Sequence, residues 1–102
     1  MIHLLSEQNS IFNQFVAELR DISIQKDSMR FRRNLERMGE IMSYEISKTL
    51  EYETKETTTP LGVAETSHLV AQPVIATILR AGLPMHLGVL NYFDKAQNAF
   101  IS

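Results

Sequence analysis

No cysteine occurs among the 102 residues of this chain. Disulfides and thiolate metal sites are therefore excluded, and a reducing compartment is compatible with the composition without being demanded by it. Long hydrophobic runs are also missing: none approaches the roughly 20 residues that a membrane-spanning helix needs. The opening, Met1-Ile2-His3-Leu4-Leu5-Ser6-Glu7, lacks both the basic flank and the apolar stretch of a signal peptide. Cytoplasm is the expected location. Nor is one sign of charge in excess. A net charge of -2 supplies no electrostatic argument for nucleic acid or an anionic membrane, so neither is expected as a partner. The three histidines, His3, His68 and His86, have no metal-like mutual spacing, and no HExxH pair occurs. No metal held by side chains is expected. Walker and dinucleotide fingerprints are absent, as is a GxSxG elbow.

What is present is an ordinary balance, with 44% hydrophobic and 22% charged residues, as expected of a globular protein. The length allows at most one small domain, whose stability margin is thin. Residues 1–8 read as an extended arm. Asn9 or Ser10 can cap a first helix, in which Ile11, Phe12, Phe15, Val16 and Leu19 form one stripe and Arg20 closes the last turn. Asp27 or Ser28 can cap a longer second helix with Phe31, Leu35, Met38, Met42, Ile46 and Leu50 at steps of three or four. Arg30, Arg33, Glu36, Arg37, Glu40 and Lys48 lie opposite. Gly39 weakens the middle by about 1 kcal/mol relative to alanine, and it reads as a close-packing position rather than a break. Met29, Met38 and Met42 read as core filler.

The period changes after Leu50. Glu51 to Thr59 is rich in residues that favour a pleated surface and is mostly polar, so an exposed strand is expected. Pro60-Leu61-Gly62 signals a turn, Val63 to Thr66 a returning strand, and Ser67 to Gln72 a connector. Val74 to Leu79 reads as a strongly buried strand, Pro84 to Asn91 as a short helix with proline in its first turn, and Ala99-Phe100-Ile101 as the start of another buried strand.

The most informative stretch is Thr77-Ile78-Leu79-Arg80-Ala81-Gly82-Leu83-Pro84-Met85. An apolar run stops at a cation and a glycine, and a helix-compatible segment follows at once. Backbone N–H groups at such a turn attract anions, and Arg80 adds a full charge. A diphosphate cradle would consist of Arg80 with the N–H groups of Ala81, Gly82 and Leu83, where small residues allow close approach. The same residues also make a plain strand-to-helix turn with a surface arginine. Arg30, Arg32, Arg33 and Arg37 are a second candidate anion site, but the interleaved Glu36, Glu40 and Glu45 favour solvated pairing along the helix. Glu45, beside Tyr44, either holds a loop or lies just outside the buried stripe.

Three blocks together resemble the uracil phosphoribosyltransferases. Arg30-Phe31-Arg32 with Leu35, Gly39 and Tyr44-Glu45 is similar to the family's helix. The threonine-rich strand and its proline-glycine turn are similar to its hairpin. Ile78-Leu79-Arg80-Ala81-Gly82-Leu83 matches its most specific front-half motif. The resemblance runs from about Ile11 and implies a type I phosphoribosyltransferase-like α/β fold, a parallel sheet with flanking helices and a hairpin. The whole of 1–102 would be the N-terminal part of one such domain, with arm and two helices over 1–50, hairpin over 51–66 and strand–loop–helix–strand over 73–102.

The implied reaction joins uracil to 5-phosphoribosyl diphosphate (PRPP), giving UMP and diphosphate, with Mg²⁺ bound through the PRPP diphosphate. Arg80, Ala81, Gly82 and Leu83 would contact that diphosphate, and family loops of this type often hold a non-proline cis peptide beside the arginine. Pro84 departs from the glycine common in the family and removes one N–H donor. The family's acidic threonine-glycine loop, its later flexible loop and its uracil-recognition segment have no counterpart here. No catalytic residue is therefore assigned, and the chain alone is expected to be inactive. Family members are commonly oligomers, so a homo-oligomer is expected. Two other readings stay open: an interaction or oligomerisation module that has lost catalysis, and another phosphoribosyltransferase or nucleotide-sensing regulator of the same fold.

Overall fold

The computed structural model describes residues 2–102. A short 3-10 turn at Leu5–Glu7 interrupts the N-terminal arm and precedes α1 (Ile11–Arg20) and α2 (Ser28–Ser47). Both helices begin at oxygen-bearing caps. The Ser10 hydroxyl accepts the Phe12 N–H at 3.2 Å and the Asp27 carboxylate accepts the Arg30 N–H at 3.0 Å, satisfying donors that no helical carbonyl can reach. The bend between them is an Asp21 turn, whose carboxylate accepts both the N–H and the hydroxyl of Ser23. These bonds hold the Asp21 carboxyl below its ordinary value, the Ser23 hydroxyl being the largest cause.

α2 buries a line different from the one its apolar spacing suggests. Asn34, Gly39 and Ser43 are its buried residues, while Ile46 is 48% exposed. Helix-to-helix contact decides this. α3 (Leu83–Tyr92) lies so close across α2 that a Cβ on Gly39 would meet the carbonyl of Met85, and a Cβ on Gly88 would overlap the carbonyl of Glu36. Small residues face the crossing and the larger apolar ones flank it. Gly39 is a packing position, as expected. On the α1 side the fully buried Asn34 donates to Glu18 at 3.1 Å and accepts from Arg37 at 3.3 Å, and Arg37 also sits over the Phe15 ring.

β1 (Tyr52–Thr59) and β2 (Gly62–Leu69) form an antiparallel hairpin in the register Tyr52↔Leu69 through Thr59↔Gly62. Its second strand is longer than the sequence suggests. Ser67, His68 and Leu69 are not connector but pair with Thr54, Glu53 and Tyr52. Pro60 and Leu61 make the loop, and Gly62 takes φ 131°, a conformation that side chains disfavour. The hairpin projects from the body and is tied at its base, where Leu69 joins the core and the Tyr52 hydroxyl donates to the Ser47 carbonyl at 2.7 Å.

β3 (Val74–Ile78) and β4 (Gln97–Ile101) pair in parallel, with α3 as their crossover. The core joins Ile75, Phe93 and Ala96 with Leu50, Leu69, Val89 and Leu90. The expectation of a strongly buried strand over Val74 to Leu79 is corrected: Ile75 alone is buried there, while Val74 is 65% and Ile78 69% exposed. Side chains alternate along a strand, and α3 covers a single face of this sheet. Ile75, Thr77, Asn98 and Phe100 face α3. Val74, Ala76, Ile78, Gln97, Ala99 and Ile101 form the other, open face. Phe100 is nonetheless half exposed, so the second expected buried strand is not buried either.

Candidate anion-binding loop

The loop between β3 and α3 begins where the strand ladder ends. The Leu79 N–H still reaches across to the Ile101 carbonyl at 2.7 Å, and the next peptide bond, Leu79–Arg80, is cis, as the resemblance leads one to expect. Arg80 is exposed, and it makes no ion pair or side-chain hydrogen bond among the described residues. It is a cation held at the C-terminal end of a parallel strand, the end at which open α/β sheets bind ligands.

The backbone donors divide unevenly. The Gly82 N–H donates to the Ile78 carbonyl at 3.2 Å and the Leu83 N–H to the Arg80 carbonyl at 3.1 Å. Two of the three expected backbone donors are thus engaged in closing the turn. Ala81 keeps an N–H with no backbone acceptor among the described residues, as does Arg80 itself. Gly82 contributes space. A Cβ there would come 2.7 Å from Thr77 Cγ2 and 2.9 Å from the Ile78 carbonyl oxygen. Pro84 occupies the first turn of α3, where its missing N–H leaves no helical bond unmade.

Supporting this loop is a group that sequence reasoning passed over. His86 is 3% exposed, and its ring is hydrogen-bonded on both nitrogens, Nδ1 to the Thr77 hydroxyl and Nε2 to Asn98 Oδ1 at 2.7 Å. The signal for it was a single hydroxyl residue, Thr77, inside an otherwise apolar run.

The second arginine group separates. Arg30 pairs with Glu18 at 3.1 Å across the helices, Arg33 with Glu36 at 3.3 Å along α2, and Arg37 bonds Asn34. Arg32 and Arg33 line a shallow groove with Met29, Glu36, Leu83, Pro84 and Leu87, beside the helix start that follows Arg80. Glu45 lies at the edge of the buried surface and pairs with Lys48 at 3.3 Å. His68 sits on the hairpin with Thr66, far in sequence from both His3 and His86. Among the described residues no group of three or more His, Asp or Glu is placed to hold a metal ion, and no helix is long and apolar enough to cross a membrane.

Comparison with known proteins bears on the family and the fold. A family model described as uracil phosphoribosyltransferase matches residues 6–102. A uracil phosphoribosyltransferase from Porphyromonas gingivalis is 57% identical over 102 residues, covering 100% of this chain and 47% of the relative. One from Pyrococcus furiosus is 34% identical over 100 residues, covering 94% of this chain and 41% of the relative. A solved structure of an Aquifex aeolicus protein superposes with a TM-score of 0.79 at 25% identity, over 97% of this chain and 46% of that one. The chain therefore spans about half the length of the curated relatives it matches.

Proposed function

The chain belongs to the uracil phosphoribosyltransferase family, and from that premise we propose that it is the diphosphate-binding front part of an enzyme that makes UMP and diphosphate from uracil and PRPP. The observation that carries this reading is the loop after β3, where an arginine with no ion-pair partner among the described residues stands beside unspent backbone N–H groups at the C-terminal end of a parallel strand. As the bond from ribose to diphosphate breaks, negative charge grows on the leaving group. A nearby cation and backbone N–H dipoles held by the turn stabilise that charge as it develops, which lowers the barrier more than it tightens ground-state binding. Arg80 and the N–H of Ala81 supply this first. Gly82 keeps the approach open, and Leu83 begins the helix behind it. Mg²⁺ travels with the PRPP diphosphate as part of the substrate, in keeping with a loop that offers donors and a cation but no carboxylate. A cytoplasmic homo-oligomer acting in pyrimidine salvage completes the proposal.

The test is UMP formation from uracil, PRPP and Mg²⁺ by the protein produced from its natural reading frame. Arg80→Ala is expected to lower kcat/KM for PRPP by about 10²–10³-fold, the effect of losing one donor aimed at a developing anion. Absence of uracil-dependent diphosphate release from the unaltered protein would sink the reading. The 102 residues on their own are expected to make no UMP, because no segment in them is assigned to the uracil or the ribose 5-phosphate. A clear rate from this chain alone would contradict that assignment. The second reading, an interaction module without catalysis, draws on the open apolar face of the β3–β4 sheet, and it leads if the reading frame encodes no more than these residues.

A further inference from the structure

We propose that His86 is a positioning residue for the diphosphate loop, clamped between Thr77 and Asn98 so that the first turn of α3 and the loop before it are fixed to the strand ends. This inference rests on the reading of that loop as the diphosphate site. His86 lies on α3, Thr77 on β3 and Asn98 on β4, so one imidazole joins all three elements of the crossover. The ring also lies against Phe100, 4.9 Å between centroids. The hydrogen-bond directions can be assigned. Asn98 Nδ2 donates to the Ala96 carbonyl, so Oδ1 is the atom facing the ring. Nε2 then carries the proton it donates, and in the neutral ring Nδ1 accepts the proton of the Thr77 hydroxyl.

Thr77 therefore does two things. Its hydroxyl holds His86, and its methyl occupies the space that a Cβ on Gly82 would need. The backbone closes the same circuit, because the His86 N–H donates to the Gly82 carbonyl at 2.9 Å. Leu79 to Gly82 is thus bracketed by one strand end and one helical turn that are bonded to each other. A loop that spends only part of its time in the binding geometry binds more weakly by that fraction. His86 is buried with both ring nitrogens bonded, and a buried polar group with every partner in place is held in one geometry, which suits this task.

The experiment compares Thr77→Val, Thr77→Ser and His86→Gln in the protein from its natural reading frame. Thr77→Val keeps shape and methyl and removes the hydroxyl. Thr77→Ser keeps the hydroxyl. His86→Gln keeps a donor for Asn98 and removes the ring nitrogen Nδ1 that faces Thr77. Two readouts are taken: ¹⁵N NMR of the His86 ring and of the Arg80, Ala81 and Gly82 amides, and steady-state parameters for each substrate. Thr77→Val and His86→Gln are expected to shift the loop amides and to lower kcat/KM for PRPP about five- to tenfold, the weight of one hydrogen bond in an equilibrium, with KM for uracil unchanged. Thr77→Ser is expected to recover most of that loss. If the Thr77→Val ring signals show the bond lost while loop amides and PRPP parameters match the parent, the proposal is overturned. If Thr77→Val does not fold, the same criteria apply to His86→Gln. If the unaltered protein makes no UMP, the reading of the loop as a diphosphate site fails, and the loop amides alone decide the positioning role.

Discussion

Glu18 is a carboxylate whose charge is supported from two sides. The buried amide of Asn34 donates to it at 3.1 Å and Arg30 pairs with it at the same distance. Its carboxyl is accordingly held below the ordinary glutamate value, first by the Asn34 hydrogen bond and then by Arg30. The sign of the linkage follows. A group whose folded pKa is depressed contributes stability above its unfolded pKa, about 4.3 for glutamate, and loses it as pH falls through the lower folded value. The thermal stability of the parent should therefore fall as the pH drops from 5 toward 3. Glu18→Gln keeps an acceptor for Asn34 and should flatten that part of the profile, since its side chain does not titrate. Equal acid losses in both proteins would show that the Glu18 charge contributes nothing. The effect is modest because Arg30 is half exposed and screened by solvent.

At the scale of elements, the contact of α2 with α3 departs furthest from what periodicity suggests. Apolar spacing marked Phe31, Leu35, Met38, Met42 and Ile46, but the helices approach along Gly39 and Gly88, where absent side chains set the distance. Gly88→Ala is expected to destabilise the fold by about 1–3 kcal/mol despite alanine's better helix propensity, because the added methyl meets the backbone carbonyl of Glu36, which cannot turn aside. Urea unfolding at neutral pH measures this, and a variant as stable as the parent would mean that α3 moves away freely.

The same contrast explains what the sequence made legible. Helices, hairpin and the turn at Arg80 announce themselves through caps, β-branched runs and a glycine, all of which act locally. Burial along Val74 to Ile78 was misread because an apolar run does not say how many faces are covered. The extra strand residues Ser67 to Leu69 were missed because their order comes from pairing with Tyr52 to Thr54. At the loop, Arg80 and Gly82 could be picked out by type. That Gly82 and Leu83 use their N–H groups to close the turn depends on where the Ile78 and Arg80 carbonyls point, which no residue type records.

The whole molecule is elongated, 54 × 34 × 33 Å, with a radius of gyration of 16.8 Å, against about 13 Å for a compact domain of 100 residues. The hairpin projects, and the β3–β4 sheet is covered on one side. Its open face presents Val74, Ala76, Ile78, Ala99 and Ile101, with Val74 65%, Ile78 69% and Ile101 55% exposed. Apolar surface of this kind on a short parallel sheet, with unpaired backbone groups at its edges, attracts further strands or other chains. In relatives about twice as long, additional structure is available to cover it. For the 102 residues alone, another copy is the cover expected. Sedimentation of the isolated chain across a hundredfold range of concentration should therefore show association, and Ile78→Lys, which places a charge at the loop end of the open face beside Ile101, should weaken it. A monomer at every concentration would mean that this face is tolerated in water, and the case for a homo-oligomer would lose its physical support. Association that survives Ile78→Lys would instead point to the hairpin or the sheet edge as the contact.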